Sequence, residues 1–299
     1  MKNTVIRGTA ASNQIRVFVA NTTEMVAKAQ ELQMATPVAI AALGRTLTAT
    51  SMMGLMSKSE KEKITVNING GGPLGPIVVV GNSKGIVKGY VSHPHVEGSN
   101  LYPGKLDVGS AVGTDGTITV VKDLGLKEPY IGTYPLSTGE IAEDFAAYFA
   151  FSEQQPSGIA LGVLVDVDYT IKAAGGYIIQ VLPNIEEETL TKLESKLSTL
   201  EPITSIIDRI QDPEEILNHI LGEFEPVILE TYDVDFVCDC SEERLEQVLI
   251  SIGEKELTEI IEEDKQAELV CHFCNKKYHF DEEHLNKLRS EILNKNNNI

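Results

Sequence analysis

The chain has 299 residues, 42% of them hydrophobic, and a formal net charge of -19 at pH 7. The apolar content is enough for a buried core and excludes a disordered chain, while the length points to two domains with a connecting arm. The acidity argues against sequence-independent binding to DNA or RNA, whose phosphates reward clustered Lys and Arg, and no stretch approaches the length of an apolar membrane span.

The N-terminus, Met1 to Gly8, runs into polar residues with no apolar signal segment, so the expected compartment is the cytoplasm. Gln14 to Val19 alternates as a half-buried strand does. Thr36-Pro37 then predicts a helix start, with Thr36 as N-cap and Pro37 in the first helical position. The following run, Val38 to Met56, is apolar on most faces and is expected between layers, with Met52, Met53 and Met56 filling core. From Ile64 to Val121 the pattern becomes short β-branched runs: Ile64–Ile68, Ile77–Val80, Gly85–Tyr90 and Gly116–Val121. The turn residues Gly81-Asn82-Ser83 and Thr114-Asp115-Gly116 suggest antiparallel hairpins between them. The cluster Gly70 to Gly75 lacks the Lys-Ser/Thr ending of a phosphate loop and reads as a turn. Ser137 and Glu140 are the candidate capping box of a further helix, and Ile159–Tyr169 and Tyr177–Leu182 read as later strands. His93 and His95 flank Pro94 with no nucleophile or carboxylate cluster nearby, so this domain shows no catalytic constellation.

The segment 184–237 holds 14 Asp and Glu against 3 Lys and Arg, which accounts for 11 of the 19 excess negative charges. Its period is helical: Leu190, Leu193, Leu197 and Leu200, then Ile203, Ile206, Ile207 and Ile210, then Ile216, Leu217, Ile220, Leu221 and Phe224. Short amphipathic helices are marginal alone, so their apolar stripes require a platform, for which the N-terminal sheet is the candidate. Further on, Ser241 is expected to cap a helix that Gly253 ends, and a second helix carries Leu257, Ile260 and Ile261. Tyr278 and Phe280 form a return strand, and Asp281 caps a last helix. The expected class is therefore α+β. A mixed α/β N-terminal domain with a largely antiparallel sheet spans 1–183, an acidic helical linker 184–235, and a small zinc-binding domain 236–299.

All four cysteines lie in this tail, as Cys238-Asp239-Cys240 and, after thirty residues, Cys271-His272-Phe273-Cys274. Two close pairs, with no other cysteine in the chain, match a four-thiolate zinc clamp with zinc as the cofactor, one per chain. Four separately buried cysteines or a secreted disulfide framework are the bland alternatives, and His272 or His279 could replace one thiolate. A closed four-sulfur site is structural rather than hydrolytic. Oxidation would join neighbours, Cys238–Cys240 and Cys271–Cys274, since each partner is one or two residues away. Such small rings constrain little of the unfolded chain, so loss of the metal would become unfolding.

The sequence resembles the redox-regulated 33 kDa chaperonin (heat shock protein 33) family along nearly its whole length. The motifs that carry the resemblance are Thr36-Pro37 with Ala41 to Thr46, Gly72 to Gly75, Gly85 with Lys88-Gly89-Tyr90, Ser152 to Ser157, and Ala173 to Tyr177 leading to Gln180. In the tail they are Cys238 to Ser241 with Glu243-Arg244, Cys271 to Cys274, and Tyr278-His279-Phe280. The chain departs at Lys88, where the family leads one to expect arginine. The resemblance implies an ATP-independent holdase, not an enzyme, that binds unfolding client proteins. It also implies that the reduced zinc-bound form is inactive, and that oxidation forms two local disulfides, releases zinc, unfolds tail and linker, and yields an active homodimer. Two other readings compete. A zinc ribbon binding RNA or a ribosomal partner would use Lys276, Lys277, Lys287 and Arg289, against Glu282 and Glu283 beside them. A thiol–disulfide oxidoreductase would need its CxxC at the start of a helix in a βαβ unit, and here it follows an expected strand.

Overall fold

The computed structural model of the protein describes residues 3–98, 100–102, 105–183 and 185–296; residue 184, where the linker is expected to begin, lies outside them. The chain divides into two compact units, Met1–Val237 and Cys238–Ile299. In chain order, the first unit contains β1 (Thr4–Ala10), β2 (Ile15–Asn21), α1 (Thr23–Gln33), α2 (Pro37–Gly54), β3 (Lys63–Asn69), β4 (Ile77–Asn82) and β5 (Val87–Val91). It continues with a small hairpin, β6 (Asn100–Tyr102) and β7 (Lys105–Leu106), then α3 (Val108–Val112), β8 (Thr117–Asp123), β9 (Tyr130–Pro135) and α4 (Ala142–Phe151). After β10 (Ser157–Val165) and β11 (Ile171–Val181) come α5 (Glu187–Ser198), α6 (Ile203–Ile210), α7 (Pro213–Leu221) and β12 (Val227–Asp233).

Two five-stranded sheets result, β10-β11-β2-β1-β12 and β5-β4-β3-β8-β9, and every ladder in them is antiparallel. Helix α2 lies between the sheets and is buried along most of its length, as an all-round apolar helix must be. Met52 and Met53 are in its core, as expected. The central strands of the first sheet, β2 and β11, are buried on both faces. On β2, Phe18 and Ala20 join the core around α1 and α2, whereas Ile15, Val17 and Val19 face the other way. Strand β11 repeats this alternation, with Ala174 and Ile178 toward α2 and Ala173, Tyr177 and Ile179 on the opposite face.

That opposite face is covered by the acidic segment. Ile203, Ile206 and Ile207 of α6 and Ile216, Leu217, Ile220 and Leu221 of α7 pack with Ile6, Val17, Val19 and Ile179 into one cluster. The sheet is thus the platform the amphipathic period requires. Glycines set how closely α6 approaches. A Cβ at Gly162 would stand 2.5 Å from Thr204 Cγ2, and one at Gly175 would stand 2.6 Å from Ile207 Cδ1 and 2.1 Å from the Ala20 carbonyl oxygen.

Several local expectations need correction. The acidic segment is not helical throughout, because its last part forms β12 and pairs with β1 from Thr4↔Asp233 to Thr9↔Val227. The helix after Ser137 begins at Ala142, and its capping carboxylate is Asp144 rather than Glu140. Asp144 Oδ1 accepts from the Ser137 and Thr138 N–H groups (2.7 and 3.1 Å) and Oδ2 from Ile141 N–H (3.1 Å), while Glu140 is drawn away to Arg45 at 2.8 Å. Thr36 precedes α2 as expected, yet its hydroxyl donates to the Val96 carbonyl at 2.6 Å instead of capping the helix. Thr114-Asp115-Gly116 joins α3 to β8 and is not a hairpin turn. Strands β1 and β9 and helix α1 carry no expectation from the sequence; β1 is too broken by Arg7 and Gly8 for its period to stand out.

The second unit contains α8 (Glu242–Ser251), α9 (Glu254–Glu263), the hairpin of β13 (Gln266–Val270) and β14 (Lys277–Asp281), and α10 (Glu282–Asn296). Ser241 Oγ accepts from Arg244 N–H at 3.3 Å and Asp281 Oδ1 from His284 N–H at 2.8 Å, the two caps expected. The core is small: Leu249, Leu257, Ile261, Tyr278, Phe280, Leu285, Leu288 and Ile292.

Candidate metal centre

Cys238 and Cys240 lie on the irregular segment just before α8, held in part by Arg244, which donates to the Asp239 carbonyl at 3.0 Å. Cys271 follows β13 and Cys274 sits in the turn before β14. Cys271 N–H donates to the Lys276 carbonyl (3.0 Å) and Asn275 N–H to the Cys271 carbonyl (2.8 Å), so the turn folds back on itself. Asn275 takes a left-handed conformation, φ 55°, which asparagine tolerates. Two segments remote in sequence thereby present four thiols to one point.

The four Sγ atoms all lie within 4.8 Å of one another. Cys238 and Cys271 Sγ are 3.6 Å apart and Cys240 and Cys274 Sγ 3.4 Å apart, and all four cysteines are free thiols. Four sulfurs at about 2.3 Å from a tetrahedral ion would be separated by about 3.8 Å, so the cluster has nearly the size of a zinc-thiolate shell. His279 is not in the cluster; its Nε2 pairs with Glu268 at 3.1 Å. Neither is His272. A second group that includes Glu242, Glu246 and His284 is already joined by a 2.8 Å contact between His284 Nε2 and Glu246.

Charge in the sulfur cluster is unevenly placed. Burial opposes ionisation of Cys240, but hydrogen bonds from Tyr278 and from the surrounding thiols hold its pKa down to about 7. Cys238 and Cys274 are pushed up, chiefly by burial. The Tyr278 hydroxyl, which lies 3.3 Å from Cys240 Sγ and 3.2 Å from its carbonyl oxygen, is itself raised, first by that hydrogen bond to Cys240. Burial opposes charge at Cys238 and Cys274, and a bound divalent cation would supply the countercharge that four thiolates require. The donor set therefore fits a soft metal ion with four sulfur ligands. Tyr278, which sequence reasoning placed on a strand and in the Tyr278-His279-Phe280 motif without a role at the thiols, contacts Cys240; its position four residues beyond the second thiol pair was the available signal.

Comparison with known proteins accords with this centre. The family model described as Hsp33 protein matches residues 3–281. The chain belongs to the Hsp33 family. It is 62% identical over 292 residues to the 33 kDa chaperonin of Alkaliphilus metalliredigens and 53% identical over 292 residues to that of Clostridioides difficile. Each alignment covers 98% of this chain and 100% of the relative. The crystal structure of the 33 kDa chaperonin (heat shock protein 33 homolog) from Thermotoga maritima superposes with a TM-score of 0.90 at 35% identity, covering 98% of this chain and 100% of that one. The Hsp33 family is a chaperonin family and not an enzyme family, and the α+β class with antiparallel sheets agrees with its known structure. Among the described residues, no helix is long and apolar enough to cross a membrane.

Proposed function

We propose that this chain is an ATP-independent holdase of the Hsp33 family, switched by oxidation of Cys238, Cys240, Cys271 and Cys274. The observation that carries the reading is the convergence of all four thiols within 4.8 Å in a unit whose core has only a few large side chains. In the reduced protein the four thiolates hold one zinc ion, which when bound is worth on the order of 10–16 kcal/mol to a small fold. A peroxide takes two electrons from each thiol pair. Its O–O bond breaks, an S–S bond forms, and both oxygens leave as water with protons taken from solvent, so two peroxides would give Cys238–Cys240 and Cys271–Cys274 and free the zinc ion. Those rings leave the two segments unconnected, and the second unit loses its staple.

The acidic helices are the element such a change would release. They carry surplus negative charge and leave apolar sheet behind when they lift. Exposed apolar surface binds unfolding clients and favours pairing of two copies, so the active form is a homodimer. We place this activity in the cytoplasm, where resting thiols are reduced.

The test measures zinc content, linker cleavage by trypsin and suppression of aggregation of a heat-denatured client, before and after peroxide. Reduced protein should hold one zinc per chain and leave the client to aggregate; oxidised protein should hold none, be cut in the linker, and suppress aggregation. If replacement of all four cysteines by serine leaves the response to peroxide unchanged, the switch lies elsewhere.

A further inference from the structure

A cavity of about 750 Å³ opens in the first unit, where the end of α2 meets the ends of β3 and β8 and the segment after α4. Its volume is in the range of small-molecule sites. Ser152 to Gln155 line it, so the Ser152–Ser157 motif, which the sulfur centre does not use, forms part of its wall.

Arg16 of β2 reaches this cavity half-buried. Its Nε and Nη2 both donate to Gln180 Oε1, at 3.0 and 2.5 Å. Gln180 is fully buried and donates in turn to Ser157 Oγ at 3.3 Å, which fixes one edge of the guanidinium. Among the described residues Nη1 has no protein partner, and no nitrogen of Arg16 is both buried and unpaired, so Nη1 stays accessible on a side chain that lines the cavity. Among the described residues, no carboxylate pairs with Arg16, and burial and the nearby charge of Arg7 both work against its cation.

The other charges around the cavity are already engaged or of the same sign. Glu153 accepts from Lys122 Nζ at 2.7 Å and from the Tyr148 hydroxyl, and Glu62 accepts from the Lys58 N–H at 3.3 Å. With Lys63, four cationic side chains face two carboxylates there, in a chain whose net charge is -19. Met56, Phe149 and Tyr130 add apolar wall.

We propose that this cavity binds a small organic anion, a carboxylate joined to an apolar group. The carboxylate sits on the free edge of Arg16, whose planar fork matches two oxygens, and the apolar part lies along Met56, Phe149 and Tyr130. The same chemistry is offered by a free carboxylic acid and by the C-terminal carboxylate of a polypeptide. The site is separate from the sulfur centre and does not depend on the holdase reading.

Isothermal titration of the full-length, reduced, zinc-loaded protein tests it. The probes are phenylbutyrate, the uncharged phenylbutanamide, and an acetylated Ala-Leu-Phe peptide as free acid and as C-terminal amide. An acid should bind, one molecule per chain, at least about tenfold more tightly than its amide, and Arg16→Gln should remove that preference while the melting temperature holds. Tight binding of the peptide acid alone assigns the ligand to chain termini, and of phenylbutyrate alone to small acids; both support the site. Should the Arg16 variant fail to fold, Leu124→Glu at the exposed rim carries the same test, since added negative charge weakens the acid and spares the amide. The proposal is overturned if neither acid binds at millimolar concentration, if acid and amide bind equally, or if the acid binds equally to wild type and to whichever variant folds.

Discussion

Replacing Ile207 by alanine should loosen the acidic helices without touching the thiols. Ile207 is 1% exposed on α6, and its Cδ1 lies over Gly175, in a notch that any side chain there would fill. Truncation to alanine removes three methyl or methylene carbons and leaves a void that strand β11 cannot fill, which costs about 2–5 kcal/mol. At the lower end of that range, local opening becomes about thirtyfold more populated. Arg209, two residues on, is exposed and among the described residues is tied only to Glu201, at 2.6 Å, so trypsin reports the opening directly. When reclosing is fast relative to cleavage, the rate of cutting at Arg209 follows the open population. The reduced, zinc-loaded Ile207→Ala protein should therefore be cut at Arg209 about thirtyfold faster than wild type, while Asn218→Ala, on the exposed side of α7, leaves the rate unchanged. Equal rates for Ile207→Ala and wild type would show that packing on the sheet does not hold α6 down, and would remove the physical basis for its release.

Other outcomes follow from the same geometry. Gly162→Ala places a Cβ 2.5 Å from Thr204 Cγ2 and should raise trypsin cleavage at Arg209; adding Thr204→Ser removes that methyl and should restore resistance, and no rescue would mean the clash is not what moves the helix. Asp144→Ala leaves three N–H groups at the start of α4 without their acceptor and should lower stability by about 3 kcal/mol in urea unfolding, with Asp144→Asn losing less; equal stability would show that water replaces the carboxylate freely. Immediately after a chelator is mixed with reduced protein, before the second unit loses its fold, Cys240 should be alkylated first, at a rate that rises as pH passes about 7, because its thiolate lies below the ordinary cysteine range while Cys238 and Cys274 lie above it. Mass mapping that found Cys238 or Cys274 modified first would contradict the charge distribution of the cluster.

Much of this protein was written in residue order. Two close cysteine pairs announced a sulfur centre because metal ligation demands particular atoms at short spacing. The period of the acidic segment announced helices with one apolar stripe because 3.6 residues make a turn. The caps at Ser241 and Asp281 were legible for a similar local reason, since each side chain reaches an N–H three residues away.

What escaped sequence reading depended on partners far along the chain. Strand β12 lies within an acidic, otherwise helical segment and is a strand because β1 offers it an edge, more than 200 residues earlier. Asp144 displaced Glu140 as the cap because Arg45, on a different helix, claims the Glu140 carboxylate. The Arg16 cavity required β2, β8 and the end of α4 to meet, and Tyr278 became a thiol partner only when the β13–β14 hairpin closed. Local chemistry is readable wherever one short stretch supplies every atom involved; where the atoms come from separate elements, packing of the whole chain decides which group wins each partner.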